Sequence, residues 1–405
     1  MDANEKKNKF QIEGINAWIA NDCMGIIEAC TGFGKTRLGV LAAKGFYNKY
    51  GKDFKVLIVT PTETIRDKAW KAEFIKWKGL KAFNAIVETV CIQTAYKWVG
   101  KTYDLVILDE CHNYTGDQRA LFFENNTLKR IMGLSATLDV EQIQFYNEIK
   151  LPIVYRITLD KAKKEGLVSD YIIYNLGVRL SAGERASYDI ANKTFGRTFP
   201  LFDKDLKLMF KCMTDTNFFK NHCQRRGIDY NDVKSFPFQC NKAISSRKNI
   251  IYNCQEKLSS IKQISNLLDD RLAIIFSQTI KSVDKITDVL GDSCVSFHSK
   301  IGKKQRAINL KNLMDGRTKV NRISAGKALD EGANIPKCSL AIISSSTSSP
   351  RTMTQRIGRS IRWQEGKTAI VVRLYVLNSQ EEKWLKSSQE GQSVKFINNV
   401  NEITI

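Results

Sequence analysis

The chain has 405 residues, of which 43% are hydrophobic and 26% are charged. This length predicts two or three domains with sizeable cores, and the composition excludes a largely disordered protein. The net charge is +21 at pH 7, which favours a polyanionic partner because lysine and arginine displace the counterions of phosphates. No apolar run reaches the roughly 18–20 residues that a membrane helix needs, so we expect no membrane contact.

The amino-terminal residues MDANEKKNKF are polar, and the chain has ten cysteines but no C-x-x-C pair. The absence of an apolar signal segment predicts a cytoplasmic protein, in which cysteines are expected to be reduced. One region is rich in cysteine and histidine, but its spacings match no zinc signature, so we expect no structural metal there. These residues are Cys212, His222, Cys223, Cys240 and Cys254.

Short apolar runs alternate with amphipathic segments between residues 25 and 136. The runs predict strands, and the segments between them predict helices such as Thr36–Tyr50 and Thr64–Trp77. Strands that alternate with helices predict an α/β domain with a parallel, doubly wound sheet. The predicted strands are Gly25–Ala29, Val56–Thr60, Ala85–Cys91, Asp104–Leu108 and Arg130–Leu134.

The same alternation returns late in the chain and predicts a second α/β domain. Its predicted strands are Arg271–Phe276, Ser293–Phe297, Val320–Ser324, Leu340–Ser344 and Thr368–Tyr375. Within the Val320–Ser324 strand, Arg322 is open to two interpretations, contact with nucleic acid or with solvent. We therefore divide the chain into a first α/β domain at 1–150, a linking segment at 151–265 and a second α/β domain at 266–405.

The linking segment lacks the alternation and is expected to be mainly helical. It holds 20 lysines and arginines against 11 acidic residues, so positive charge is concentrated there. Aromatic residues are interleaved with the charges, and most of them are expected to form helical core. The predicted helices are Ser181–Lys193, Lys204–Phe219 and Ser245–Leu268, and the aromatic residues are Tyr171, Tyr174, Tyr188, Phe195, Phe199, Phe202, Phe218 and Phe219.

The segment ACTGFGKT, residues 29–36, has the spacing of a phosphate-binding loop, with alanine in place of the first glycine. A predicted strand precedes it and a predicted helix follows, so backbone N–H groups and the helix dipole point at one anion. Lys35 is then placed to reach the β- and γ-phosphates of a nucleotide, and the Thr36 hydroxyl to bind Mg²⁺. The other candidate cofactor-binding residues of the loop are Thr31, Gly32, Phe33 and Gly34.

A second strand, LVILDECH, ends in two adjacent carboxylates. A nucleotide loop needs a carboxylate at a neighbouring strand end to hold Mg²⁺, and Asp109 has that position. Glu110 is the candidate that orients and activates the attacking water. Arg359 and Arg362 in QRIGRSIR are three residues apart on a predicted helix, so both can meet charge that develops on the γ-phosphate. A solvated basic helix face explains these two arginines equally well.

Taken in order, these segments resemble the motifs of the superfamily 2 helicases and translocases. The resemblance rests on ACTGFGKT, VTPTETIRDKAW, IQTAY, DECH, GLSATLD, AIIFSQT, SAGKALDEGANIP and QRIGRSIR, which run from about residue 29 to residue 362. It implies two RecA-like domains that bind ATP and Mg²⁺ in their cleft, while a nucleic-acid strand crosses another face. Motif V departs from the common pattern because Lys327 and Asn334 stand where many relatives have acids.

The resemblance also implies roles for individual residues. Gln11, upstream of the loop, resembles the glutamine that reads adenine, and Ser135 and Thr137 are expected to couple hydrolysis to domain movement. Gly332 and Asn334 are expected near the nucleotide, and Gln355, Arg359 and Arg362 are expected to complete the catalytic site when the cleft closes. The residues expected to contact DNA are Pro61, Thr62, Gln93, Thr94, Ser277 and Gly326.

The phrases DECH, EGANIP and SSSTSSPRTMTQRIGRSIR are similar to those of phage and repair helicases of the UvsW and RecG kind. That similarity implies a monomeric DNA helicase or translocase acting on forked, branched or single-stranded DNA, in a host cytoplasm if a phage encodes it. Residues 151–265 are then expected to grip the DNA. An RNA helicase and the motor subunit of a restriction system are the alternatives. A catalytically dead binding protein and a metabolic kinase are disfavoured, because both carboxylates, Lys35 and a second α/β domain are present.

Overall fold

The structure is a computed structural model that describes residues 3–63, 69–315, 318–326, 335, 338–345, 356–358, 368–387 and 394–404. Two parallel β-sheets, each covered by helices, organise these residues. Of the helices that are described, none combines the length and the hydropathy that crossing a bilayer requires.

The first sheet has the strand order β3-β2-β5-β7-β1-β8, and all its pairs are parallel. Its central strands are apolar and buried along their whole length, as expected where helices cover both faces. A separate two-stranded ribbon pairs β4 with β6. The strands are β1 (Met24–Ala29), β2 (Val56–Thr60), β3 (Val87–Cys91), β4 (Thr102–Tyr103), β5 (Leu105–Asp109), β6 (Thr127–Leu128), β7 (Ile131–Ser135) and β8 (Ile153–Ile157).

The helices of this part of the chain lie between the strands and beside the sheet. They are α1 (Ala3–Ala20), α2 (Lys35–Tyr50), α3 (Trp70–Lys76), α4 (Leu80–Ile86), α5 (Ile92–Ala95), α6 (Asp117–Glu124), α7 (Val140–Glu148) and α8 (Leu159–Lys164), with short 3₁₀ helices at Gly51–Asp53 and Cys111–Asn113. A capping box at Asp139 and Gln142 begins α7. The predicted strand Ala85–Cys91 begins two residues early, because the last turn of α4 includes Ala85 and Ile86.

Five helices follow the first sheet, and we call them the helical insert, residues 182–252. They are α9 (Ala182–Thr198), α10 (Leu206–Thr214), α11 (Thr216–Arg225), α12 (Tyr230–Val233) and α13 (Phe236–Tyr252), with a 3₁₀ helix at Phe199–Phe202. The predicted helix Lys204–Phe219 is divided in two because the Asp215 side chain accepts a hydrogen bond from the Phe218 amide at 2.9 Å and so begins α11. Cys212, Cys223 and Cys240 pack in the small apolar core of the insert.

The second sheet has the strand order β11-β12-β10-β13-β14-β9-β15 and is also parallel. Its strands are β9 (Asp170–Val178), β10 (Ala273–Phe276), β11 (Cys294–Phe297), β12 (Arg322–Ala325), β13 (Leu340–Ile343), β14 (Thr368–Val376) and β15 (Val394–Ile397). The helices are α14 (Gln255–Leu267), α15 (Ile280–Leu290), α16 (Lys303–Asp315) and α17 (Gln380–Ser387), with 3₁₀ helices at Gly291–Ser293 and Val400–Glu402. The predicted α/β fold with two RecA-like domains that bracket a helical segment is confirmed.

Residues 151–265 are mainly helical as predicted, although β8 belongs to the first sheet and β9 to the second. Two further details of the sequence analysis are wrong. The predicted helix Ser245–Leu268 is two helices, which separate at Asn253 and Cys254. Arg322 faces neither nucleic acid nor solvent, since it is buried and its guanidinium donates hydrogen bonds to the Ser265 carbonyl and to Asn321. The division at residues 150 and 265 stays a prediction.

Candidate functional site

The phosphate-binding loop begins where β1 ends at Ala29 and ends where α2 begins at Lys35. Gly32 and Gly34 have φ angles of +87° and +93°, a left-handed conformation that favours glycine. A Cβ at Gly34 would also lie 2.6 Å from the Gln11 amide nitrogen. The tight turn therefore depends on both glycines.

Lys35 and Thr36 occupy the first turn of α2. The Lys35 ammonium donates a hydrogen bond to the Ala29 carbonyl at 3.0 Å, so its charge lies across the mouth of the loop. Both residues are only partly buried, which leaves them accessible to a ligand. The backbone N–H groups at the start of α2 add a positive dipole to the same place.

Gln11 is buried in α1 and contacts the loop directly. Its amide nitrogen donates to the Phe33 carbonyl at 2.7 Å, and its amide oxygen accepts from Arg37. Arg37 in turn donates to Asn8 at 2.6 Å and lies 4.1 Å from the centre of the Trp77 ring. The structure thus places Gln11 beside the loop, and its reading of adenine stays a prediction.

Asp109 and Glu110 lie at the carboxyl end of β5, at the same sheet edge as the phosphate loop. Burial and the charge of Glu110 raise the pKa of Asp109 to about 7, against the lowering effects of a Trp70 hydrogen bond and the Lys35 charge. The Trp70 indole nitrogen donates to the Asp109 carboxylate at 2.9 Å. Sequence analysis missed Trp70, because nothing in its segment distinguishes it from a core tryptophan.

Glu110 lies between this edge and residues 135–137 at the end of β7. Its φ of +50° is left-handed, and its Oε2 is buried and accepts no hydrogen bond from any residue that the structure describes. The His112 Nδ1 atom lies 3.4 Å from that oxygen and 3.1 Å from the Ser135 hydroxyl. The Ser135 hydroxyl donates to the Thr137 carbonyl at 3.3 Å, so a polar chain joins the carboxylate pair to the end of β7.

Glu28 is a further site residue that sequence analysis missed. It lies on β1 opposite Ser135 and Arg156, and it is buried. One carboxylate oxygen accepts the Leu138 amide at 3.2 Å, and the other lies 2.9 Å from the Arg156 Nε atom. Burial raises the pKa of Glu28. A single carboxylate within the apolar run IIEA was the signal that could have revealed it.

The expected nucleic-acid contacts of the first domain come together at the ends of β2 and β3. The Gln93 amide donates to the Pro61 carbonyl at 3.0 Å, and Thr62 and Thr94 are beside them. Gln93 and Thr94 are exposed. These four residues therefore form one surface at the carboxyl edge of the first sheet.

In the second domain, Ser277 and Gly326 follow the neighbouring strands β10 and β12. The Ser277 amide donates to the Ala325 carbonyl at 2.9 Å, and the Gly326 amide donates to the Phe297 carbonyl at 3.2 Å. The Ser277 side chain is fully buried, so a contact with DNA through its hydroxyl would require the surrounding residues to move. Its role in DNA contact stays a prediction.

The cleft between the domains narrows at the phosphate loop. Gly358 lies so close to Thr31 that a Cβ at position 358 would overlap the threonine side chain. Arg356, two residues earlier, is buried and donates to the Ser345 carbonyl at 3.4 Å. The other residues expected from this domain lie outside the described residues; they are Gly332, Asn334, Gln355, Arg359 and Arg362, together with Lys327 of motif V.

Two protein families match the chain, one in each half. Residues 4–93 match the family described as type III restriction enzyme, res subunit, and residues 256–364 match the helicase conserved C-terminal domain. The chain is 23% identical over 393 residues to the DNA 3'-5' translocase XPB2 of Sulfurisphaera tokodaii, covering 90% of this chain and 80% of that protein.

Two solved structures resemble the whole fold. The helicase domain of Pyrococcus furiosus Hef has a TM-score of 0.58 and 16% identity, with 93% of this chain and 98% of that chain covered. A variant of S. cerevisiae Dbp5 bound to RNA and ADP BeF3 has a TM-score of 0.62 and 13% identity, with 96% and 89% covered. At these identities the likeness concerns the fold alone, and the two family matches follow the order of the motifs.

Proposed function

We propose that the chain is an ATP-hydrolysing enzyme of the superfamily 2 helicases, and that it is a DNA translocase that unwinds or remodels forked and branched DNA. One observation carries the proposal: the phosphate loop, the carboxylate pair and Gly358 of the second domain meet at one cleft. An ATP site shared between two domains converts hydrolysis into relative domain movement. The cytoplasmic location and the monomeric state are parts of the same proposal.

We assign the binding of phosphate, metal and water in the cleft to residues that the structure describes. Lys35 would bind the terminal phosphates, and Thr36 and Asp109 would hold Mg²⁺, which neutralises charge on the nucleotide. The residues fit this ion, because Asp109 is a buried carboxylate and Glu110 has an oxygen without a hydrogen bond. Glu110 would orient the attacking water, and Gln355, Arg359 and Arg362 would complete the site on closure. Gln11, Gly332 and Asn334 would bind the nucleotide from the two domains.

The choice of DNA is supported by the archaeal relative, whose name describes a DNA translocase. The surface formed by Pro61, Thr62, Gln93 and Thr94 would contact one strand from the first domain, and the segments at Ser277 and Gly326 from the second. The high positive charge of the chain suits a phosphate backbone. If branched DNA is the substrate, the protein acts in DNA repair or recombination, whether a phage or a cell encodes it.

The helical insert is the element we assign to duplex or junction binding. It has an apolar core of its own, which lets it present a firm surface. Phe238 on α13 is 61% exposed and Phe210 on α10 is 45% exposed. Exposed aromatic rings among lysines and arginines can stack on bases. The aromatic residues that the sequence analysis considered are mostly part of the core, as expected for Tyr188, Phe202 and Phe219.

The experiment is the ATPase rate without nucleic acid and with single-stranded DNA, duplex, forked DNA or RNA at equal nucleotide concentration. We expect forked DNA to stimulate most. Strongest stimulation by RNA would make the protein an RNA helicase. The match to the restriction family favours one other candidate, a restriction motor, and equal stimulation by unbranched duplex would support it. Glu110→Gln is the control, since it should bind ATP and DNA but show no stimulated hydrolysis.

A further inference from the structure

Two adjoining cavities lie where the helical insert meets the second sheet, and we call them the junction cavities. The first cavity, about 300 Å³, lies between α9, α13 and the start of α17. A neighbouring cavity of about 310 Å³ is lined by Arg179, Arg185 and Leu377. Asn378 borders both cavities, so they form one concave region.

Positive charge dominates the lining of the first cavity. Arg247, Lys383 and Lys386 face it, against the single carboxylate of Glu382. Lys386 already pairs with Glu382 at 3.0 Å, and hydrogen bonds from Lys386 and the Asn378 amide lower the pKa of Glu382. Lys383 is exposed and pairs with no acid among the described residues, which leaves its charge, with that of Arg247, without a counterion.

Arg247 is the least expected residue of this lining, because it is a charged residue that is only 7% exposed. One guanidinium nitrogen donates to Gln380 at 3.0 Å, and the group lies 4.3 Å from the Phe195 ring centre. Its Nε atom has no hydrogen-bond partner within the described ranges. Arg247 nevertheless lines the cavity, so an anion that enters the cavity would meet its charge.

The position of the cavities identifies the class of ligand. Residues 377–380 follow β14 and Arg179 follows β9, so both lie at the carboxyl edge of the second sheet. Ser277 and Gly326 lie at the same edge, after β10 and β12. Ligands of open parallel sheets bind along this edge. A strand that crosses Ser277 and Gly326 would therefore reach the junction cavities if it continues towards the insert.

We propose that the junction cavities bind a backbone phosphate of the DNA, held by Arg247 and Lys383. This site rests on the proposed function and extends the DNA path from the second domain onto the base of the insert. Arginine and lysine are the usual partners of phosphates, and such contacts position the DNA without reading its sequence. The insert contacts this edge through the Gln380 backbone N–H, which donates a hydrogen bond to the Tyr188 hydroxyl at 2.9 Å.

The test compares Lys383→Glu with Lys319→Glu, the same change at an exposed lysine before β12, on the opposite edge of the sheet. Affinity for a forked DNA is measured by fluorescence anisotropy from about 50 to 200 mM salt. Lys383→Glu should weaken binding about tenfold and reduce the salt slope by about 1, because one phosphate contact is lost. Lys319→Glu should change affinity less than about twofold.

A second variant, Asn192→Asp, places a carboxylate on the α9 side of the same cavity and should also weaken binding. Thermal unfolding midpoints verify that each variant is folded. If Lys383→Glu and Lys319→Glu have the same affinity while the wild-type protein binds forked DNA, the junction site is wrong and the proposed function stands. If the wild-type protein prefers RNA to every DNA, the proposed function is wrong, and DNA is excluded as the ligand of the cavities.

Discussion

The two ends of strand β5 carry aspartates in opposite environments. Asp104, before the strand, accepts hydrogen bonds from the Lys129 ammonium at 2.8 Å and the Lys55 amide at 2.9 Å. Burial alone would raise the pKa of Asp104, but these partners hold it below its usual value. At the other end, burial and the neighbouring Glu110 raise the pKa of Asp109 to about 7.

The difference agrees with the proposal that the Asp104 edge is structural and the Asp109 edge functional. At the Asp104 edge the carboxylate pairs with Lys129, whose side chain is 54% exposed to water. At the Asp109 edge two carboxylates are adjacent, and Asp109 forms an ion pair with no residue that the structure describes, since Lys35 donates to the Ala29 carbonyl. Shifted pKa values of this kind mark sites where a ligand or metal supplies the missing charge.

The largest expected effect separates two lysines at the two edges. Lys35→Ala should lower DNA-stimulated ATP turnover at least about a hundredfold, because it removes the cation at the phosphate loop. Lys129→Ala, the matched change at the structural edge, should leave turnover within about twofold. Steady-state ATPase rates at saturating DNA measure both. Near-normal turnover by Lys35→Ala would exclude this loop as the catalytic phosphate site.

A smaller effect concerns stability and its pH dependence. A raised pKa means that Asp109 contributes stability fully below its ordinary pKa, and that this contribution is lost as pH rises through about 7. Asp109→Asn should therefore stabilise the fold at pH 8 by about 1–3 kcal/mol when Mg²⁺ and nucleotide are absent, and less than half of the gain should remain at pH 5, since it vanishes only below the ordinary pKa of 3.8. Urea unfolding at the two pH values measures it.

Asp104→Asn is the control with the opposite sign. The lowered pKa of Asp104 contributes stability above its ordinary pKa, which is lost as pH falls through the folded value. Its replacement should destabilise the protein at pH 8, by less than about 1 kcal/mol because the ion pair with Lys129 is partly exposed. Destabilisation of both variants at pH 8 would show that the ionised Asp109 carboxylate does not lower the free energy of unfolding.

The sequence predicts the strands, loop and helix that form the proposed ATP site, because their signals lie in short, contiguous segments. The loop from Ala29 to Thr36 needs only a strand, two glycines and a helix start, and all of these are local. Asp109 and Glu110 follow an apolar run whose end marks the end of the strand. The parallel sheets follow from the alternation of strands and helices in the same local way.

What the sequence does not predict depends on partners far along the chain. β9 joins the second sheet because it pairs with β14, and β8 closes the first sheet beside β1. Arg322 is buried because it reaches the Ser265 carbonyl, 57 residues away in the chain. Glu28 binds the Leu138 amide, 110 residues away. The residue type at each of these positions suggests several environments, and only the tertiary fold selects one.

Trp70 gives the smallest and most specific test of the functional edge. Its indole donates to the Asp109 carboxylate and lowers the pKa of that group against burial. Trp70→Phe removes the donor, so the pKa of Asp109 should rise further, by up to about one unit. Asp109 must be ionised to hold Mg²⁺, so the acidic limb of the ATPase pH profile should move to higher pH at fixed free Mg²⁺.

Trp77→Phe is the matched control, because the Trp77 indole also donates to a carboxylate, that of Glu73, at 2.9 Å. Glu73 lies on the same helix but away from the carboxylate pair, so the pH profile of this variant should coincide with that of the wild-type protein. A merely structural role of Trp70 would lower the unfolding midpoint and leave the profile in place. Identical pH profiles for both variants would show that the Trp70 hydrogen bond does not affect the ionisation of Asp109. Burial and the charge of Glu110 alone would then set the pKa of Asp109 apart from that of Asp104.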